Sequence, residues 1–196
     1  MLSGREYLAF LPHGAEVIAS RVLTEETLKL FRVGQSSHYM TMPLFEDGVL
    51  RGIKLRNIWK RDPNYRFFQL EGSRLGLFNY DHVYLHTETV FVLKGEIPAM
   101  LLHQLRYKAC APIGGEGGYK GQVQRWNTAL ALASVVVVGE NDEPGRVLGK
   151  KRSILFGGKL VFPPNQYKDI DAWILADRDH ALDVIQQWNE TFKQTH

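Results

Sequence analysis

The spacing of apolar residues changes period along the chain. Over residues 5–33 it is helical. Tyr7, Leu8, Phe10 and Leu11 open a segment that Pro12-His13-Gly14 interrupts, and Ala15 to Val22 reads as a short helix. Thr24 is then a suitable cap for a helix over Glu25 to Phe31, with Leu23, Thr27, Leu30 and Phe31 on one face. Between 38 and 70 the period is two. Tyr39 to Phe45 alternates, Glu46-Asp47-Gly48 predicts a hairpin turn, Val49 to Ile58 returns, and Tyr65 to Leu70 predicts a third strand. Residues 71–87 form a connector in which Gly72-Ser73 turns, Leu75 to Phe78 is apolar, and Tyr80 to His86 fits no single period. From Thr89 onward short β-branched runs alternate with helical spacing. Strands are predicted over Thr89 to Leu93, Ala109 to Ile113, Val135 to Val138 and Lys159 to Phe162. Helices are predicted over Glu96 to Tyr107, Gly121 to Ala133, Arg146 to Phe156, Asp169 to Leu175 and Arg178 to Lys193. Repeated β-α units imply an α/β domain, a parallel sheet with helices on both faces, over 81–196. A small α+β subdomain precedes it over 1–80.

One stretch within that alternation carries chemistry. Ser134 is followed by four valines, the signature of a strand buried on both faces. The run stops at Gly139, and Glu140, Asp142 and Glu143 follow before Pro144-Gly145 turns the chain into a helix. Ligand sites of α/β proteins lie at the carboxyl ends of such strands. Acids placed there suit Mg²⁺, a hard cation that takes oxygen ligands. A solvated acidic turn has the same composition.

Charge sharpens this picture. The net charge is +3 over 196 residues, too mild to imply a nucleic-acid partner by itself. Its distribution is more telling. Arg51, Lys54, Arg56, Lys60, Arg61 and Arg66 crowd one segment, and Lys150, Lys151 and Arg152 form a second cluster. Basic clusters beside an acidic site suit a polyanion, and ordinary solvated faces account for them equally. The single cysteine, Cys110, excludes a disulfide framework within the chain and fits a reducing setting. No secretory leader is recognisable in Met1 to Leu11, and no apolar run reaches the roughly 20 residues of a membrane-spanning helix. The expected setting is cytoplasmic, with no membrane partner.

The order of motifs resembles the Toprim domain of DnaG-type primases, in a phage or mobile-element style. The matching elements are Leu93-Lys94-Gly95-Glu96, the glycine-rich Gly114 to Gly118, Glu140-Asn141-Asp142-Glu143-Pro144-Gly145-Arg146, and Lys168-Asp169-Ile170-Asp171-Ala172-Trp173. The Asn-Asp-Glu-Pro-Gly-Arg run is the most specific. Residues upstream resemble the small subdomain that precedes Toprim in primase cores. Arg56 in Gly52-Ile53-Lys54-Leu55-Arg56 matches the family's strand arginine, and Gly72-Ser73-Arg74-Leu75-Gly76-Leu77-Phe78 matches its linker. Pro63-Asn64-Tyr65 stands where the family has Lys-Tyr, with Arg66 next to it. The resemblance spans roughly residues 5–180.

It implies a DNA-replication protein that acts on single-stranded DNA, with a carboxylate cluster holding Mg²⁺ or Mn²⁺ for nucleotidyl transfer. Nucleoside triphosphates and a replicative helicase are then the further partners. Glu96, Glu140 and Asp142 are the candidate catalytic and metal-holding residues. Arg56, Arg66, Arg146, Lys150 and Lys168 are the candidates for nucleic acid or nucleotide. The chain departs from the family pattern most seriously where the family's Glu before the first Gly is Lys94 here; the Asp of the same motif falls on Pro98, and the first Asp of Asp-x-Asp is Glu140. Two readings follow. Glu96, Glu140 and Asp142 form a shifted metal site, or Lys94 pairs with Asp142 or Glu140 and replaces the cation's charge without its catalysis. The second leaves a nucleic-acid-binding or assembly module without polymerase activity. A Toprim nuclease is a third class.

The remaining constellations are bland or open. His82 and His86 are spaced i, i+4 without a third ligand, and read as ordinary surface or core histidines rather than zinc ligands. Gly114 to Gly118 lacks the Gly-Lys-Ser/Thr of a P-loop and reads as a turn. Trp59, Tyr65 and Phe67 interleave with the basic hairpin and suit base stacking or packing. Trp126, Trp173 and Trp188 read as core, and Lys168-Asp169 as either a helix cap or part of the site.

Overall fold

The structure, a computed structural model, describes residues 23–36, 39–57, 67–74, 76–113 and 122–193. The expected helices over 5–22, the Gly114 to Gly118 loop, Trp59, Tyr65 and Arg66 lie outside the described residues. The chain divides into two compact units, residues 1–76 and 77–196.

In the first unit, Thr24 Oγ1 accepts the Thr27 N–H at 3.2 Å and caps helix α1 (Glu25–Leu30). Leu23, Thr27 and Phe31 are buried as the periodicity predicts, but Leu30 is half exposed and Leu28 takes the inward place. Four antiparallel strands follow in the order β1-β2-β3-β4: β1 (Gly34–Ser36), β2 (Tyr39–Glu46), β3 (Val49–Asn57) and β4 (Phe67–Gln69). The β2–β3 hairpin turns on Asp47 and Gly48, with φ of 56° and 69°. Positive φ at both central residues is what a two-residue hairpin turn requires, and Asp-Gly provides it at low cost. Alternation in β2 predicts one buried face. Instead Met40, Met42 and Leu44 are buried on one side, and Thr41 and Pro43 on the other. Among the described residues, the third predicted strand stops at Gln69, one residue before Leu70.

The second unit is a mixed five-stranded sheet in the order β5-β7-β6-β8-β9. Strands β6 (Thr89–Val92), β7 (Lys108–Pro112), β8 (Ser134–Val138) and β9 (Lys159–Val161) are parallel. The apolar end of the connector becomes β5 (Leu77–Phe78), an antiparallel edge strand on β7, followed by a one-turn helix α2 (Tyr80–Val83). Helices α3 (Glu96–Gln104), α4 (Val123–Ala129), α5 (Glu143–Phe156), α6 (Ile170–Ala176) and α7 (Arg178–Thr191) complete it. Val90, Val92, Cys110 and Val137 share a core on one sheet face with Trp126, Ala129 and Phe156. Phe91, Ala109, Ala111 and Val136 point to the other face by alternation and are equally buried, so helices cover both faces.

Helix boundaries differ from the periodicity for local reasons. α3 stops before Tyr107 because Arg106 turns left-handed, with φ of 71°. The Arg106 and Tyr107 N–H groups then close back on the His103 and Leu102 carbonyls at 2.9 and 3.0 Å. That is the paired closure of a Schellman motif, here with arginine in place of the usual glycine. α5 begins at Glu143 rather than Arg146 because Asp142 accepts the Gly145 N–H at 2.8 Å and Pro144 suits a first turn. Asp169 is likewise a cap, accepting the Ala172 N–H at 2.9 Å.

Candidate functional site

The strand order places a switch point between β6 and β8. From β6 the chain crosses to β7 on one side, and later returns to place β8 on the other. The β6–β8 ladder ends at Val92 and Val137, and beyond it the two strands part. A crevice at such a point is where open α/β sheets bind ligands. Lys94 follows β6 into it and Glu140 follows β8.

The turn after β8 is tightly built. The Gly139 N–H donates to the Val161 carbonyl at 2.9 Å, and a Cβ on Gly139 would stand 2.3 Å from the Phe162 ring. Only glycine fits there. Asn141 ties this turn to the loop after β9. Its backbone N–H donates to the Lys168 carbonyl at 2.8 Å. Its Nδ2 donates to the carbonyls of Pro163, Pro164 and Tyr167 at 2.9, 3.1 and 2.7 Å. Arg146 closes the clasp. Its Nε donates to the Asn141 carbonyl at 3.2 Å, and its Nη2 donates to the side-chain oxygens of Asn141 and Asn165 at 2.7 and 3.1 Å. The guanidinium lies 4.8 Å above the Phe162 ring.

This clasp fixes two ammonium–carboxylate pairs. Lys94 Nζ donates to Glu140 Oε2, and Lys168 Nζ lies 3.0 Å from Asp142 Oδ2. The hydrogen bond from Lys168, then that from the Gly145 N–H, holds the Asp142 carboxyl below the usual carboxylate range. Asp142 in turn raises Lys168. Glu96 is the first residue of α3 and is buried. Among the described residues, no three His, Cys, Asp or Glu side chains stand together as a metal-holding group. Lys150 is exposed on α5, whereas its neighbour Arg152, counted with the solvated cluster on sequence, is buried.

A second candidate surface belongs to the first unit. Register pairs Lys54 with Gln69 and Arg56 with Phe67, so these four residues share one face of β3–β4. Lys54 Nζ lies 4.6 Å and Arg56 Cζ 5.7 Å from the Phe67 ring centroid. Phe67 is 43% exposed, while Arg56 is mostly buried. Sequence reasoning singled out Arg56 and Phe67 and counted Lys54 only as one of a basic cluster. The signal for Lys54 was its i, i+2 spacing from Arg56 along one strand face.

His82 and His86, spaced i, i+4, have different partners. His82 packs edge-on against His103, with ring centroids 5.0 Å apart. Burial, with His82, Lys108 and Arg106 adding to it, pushes His103 down to about 4. His86 instead faces Glu88, 3.6 Å away. Trp126 and Trp173 are core, and Trp188 is half-buried against Trp173. Among the described residues no helix is long and apolar enough to cross a membrane.

No family model matches the sequence, and no curated protein matches it. Solved structures do match the fold. The zinc-binding and RNA polymerase domains of the Aquifex aeolicus primase align with a TM-score of 0.74 at 16% identity, over 95% of this chain and 57% of that one. The chain thus spans little more than half the length of that primase fragment. A chain from a bacteriophage T7 complex aligns with a TM-score of 0.64 at 16% identity, over 87% of this chain and 74% of that one. That complex joins the lagging-strand DNA polymerase to primase domains of two gp4 subunits bound to an RNA/DNA hybrid and dTTP. At these identities the likeness establishes the fold alone: an α/β sheet flanked by helices, preceded in the chain by an antiparallel sheet.

Proposed function

We propose that this chain is a primase-type Toprim core that binds single-stranded nucleic acid in DNA replication, and that the Lys94 ammonium takes the place of the divalent metal at its acidic site. Primer synthesis is then weakened or lost, and the chain serves chiefly to bind and assemble. The observation that carries this reading is the ion pair of Lys94 with Glu140 at the parting of β6 and β8. A hard divalent cation needs several oxygen ligands. The two carboxylates at these strand ends are already engaged, Glu140 by Lys94 and Asp142 by both Lys168 and the α5 cap. The donor set does not suit Mg²⁺ or Mn²⁺ as it stands. The nucleic-acid reading draws support from the primase fold and from the β3–β4 face, where two cations flank a half-exposed ring. Bases stack on such rings, and cations hold the phosphates between them. Lys150, exposed on α5, would extend phosphate contact within the second unit.

Calorimetric titration of Mg²⁺ and Mn²⁺ into the wild type and Lys94→Glu tests the first half. The expected result is no binding by the wild type and binding by the variant. Binding by the wild type, abolished in Asp142→Ala, would establish a working shifted site, and primer-synthesis and plasmid-cleavage assays would then decide between polymerase and nuclease. For the second half, single-stranded DNA binding is expected to survive EDTA and to weaken with Arg56→Ala and with rising salt.

A further inference from the structure

Arg152 is a buried guanidinium that the reading above leaves without a role. Helical spacing places it on the inward face of α5 with Gly145, Gly149 and Phe156, and only 4% of it is exposed. Its charge acts on the fully buried Cys110 thiol, which marks its depth. Taking a guanidinium out of water is costly unless its donors are used. One use is specific: Nη1 donates to the Leu93 carbonyl at 2.9 Å.

That carbonyl stands at a critical place. The Leu93 N–H still donates to the Cys110 carbonyl at 2.9 Å, on the β7 side. Both ladders of β6 have ended one residue earlier, the last pairs being Val92 with Cys110 and Val92 with Val137. A buried carbonyl at a parted strand end needs a donor, and Arg152 supplies it. Leu93 is the residue before Lys94. With both its backbone groups bonded, the origin of the Lys94 side chain is fixed. The opposite member of the pair, Glu140, comes from the turn that Asp142 caps onto the same helix. One helix therefore braces both ends of the ion pair.

We propose that Arg152 is the positioning residue of the Lys94–Glu140 pair: by holding the Leu93 carbonyl where β6 and β8 separate, it sets the backbone from which Lys94 reaches Glu140. This inference rests on the reading of Lys94 as the site's built-in cation. A wider consequence is that the Lys94 substitution acts with a buried arginine one layer below it.

The test is side-chain NMR of protein labelled with ¹⁵N-lysine. A paired ammonium exchanges its protons slowly and gives a resolved signal, assigned to Lys94 by its absence in Lys94→Gln. In Arg152→Met the Lys94 signal is expected to exchange about tenfold faster, while Lys168, held by Asp142, keeps its wild-type exchange and serves as the internal reference for an intact fold. Arg152→Lys, which keeps a charge and a donor on a shorter reach, is expected to be intermediate. Wild-type exchange at Lys94 in a folded Arg152→Met protein overturns the proposal alone. Absence of any protected Lys94 ammonium in the wild type overturns it together with the ion-pair reading. Should Arg152→Met fail to fold, Arg152→Lys decides: intermediate exchange supports the role, and wild-type exchange rejects it.

Discussion

The strand ends of the second unit and the β3–β4 face of the first both gather basic side chains, yet they use them in opposite ways. At the strand ends Lys94 and Lys168 meet carboxylates, and Arg146 is spent on Asn141, Asn165 and a ring. On β3–β4 the cations Lys54 and Arg56 flank the ring of Phe67, itself 43% exposed. The first arrangement balances charge internally and builds rigidity. The second leaves a surface on which a base can stack and a phosphate can approach. Counts of lysine and arginine in a segment thus say little until their partners are known. The comparison can be broken by showing that either region does the other's work.

The largest effect is expected from Asn141→Ala. It removes a side chain that donates to three carbonyls and accepts from Arg146. At about 1 kcal/mol net for each of several half-buried hydrogen bonds, a loss of roughly 3 kcal/mol in unfolding free energy is expected by urea titration. Single-stranded DNA affinity should hardly change, because the clasp is structural. A matching loss of DNA affinity in folded protein would make the strand ends a binding surface and erase the contrast.

Phe67→Ala is the reciprocal experiment. Stability should change little, since the ring is exposed, while single-stranded DNA affinity should fall by about 1–3 kcal/mol, the range for one base–aromatic stack. Lys54→Ala should act differently, lowering the slope of log affinity against log salt by about 0.7 for one lost phosphate contact. Fluorescence anisotropy across a salt series separates the two. Equal salt slopes in wild type and Lys54→Ala would remove Lys54 from the interface.

Much of the second unit was legible in the sequence because its strands carry their own signature. The valines after Ser134 could hardly be anything but a buried strand, and the Glu-Asn-Asp turn at its end did fall at the switch point. What escaped depends on partners far along the chain. Asp142 reads as a site acid, and its role as the α5 cap was signalled only by the Pro144-Gly145 that follows. Arg152 reads as one of a basic cluster open to a polyanion or to solvent, although its spacing of seven from Gly145 and four from Phe156 puts it on the inward face. β5 was hidden because two residues have no period, and only pairing with β7 defines them. Lys94 was legible as a departure, but Glu140 as its partner, rather than Asp142, required coordinates.

Asp142 joins the two themes, since it caps a helix and carries a charge, and the two roles can be separated. Asp142→Ala loses both and should cost about 1 kcal/mol, typical of an N-cap. Asp142→Asn keeps an oxygen that can accept the Gly145 N–H, and should cost less. The charge shows in the pH dependence. The folded carboxyl is held below its ordinary value of 3.8, so its contribution is complete above that value and is lost as pH falls through the lower, folded pKa. Lys168 is raised above 10.5, so its contribution is complete below that value and is lost as pH climbs through the higher one. Between these limits the pair adds no slope. Thermal unfolding across the acid limb should therefore fall less steeply in Asp142→Asn than in the wild type, with the difference absent near neutrality. An identical acid limb in the two proteins would mean that neither Lys168 nor the Gly145 N–H favours the charged carboxyl, and that the Lys168 ammonium merely lies beside Asp142.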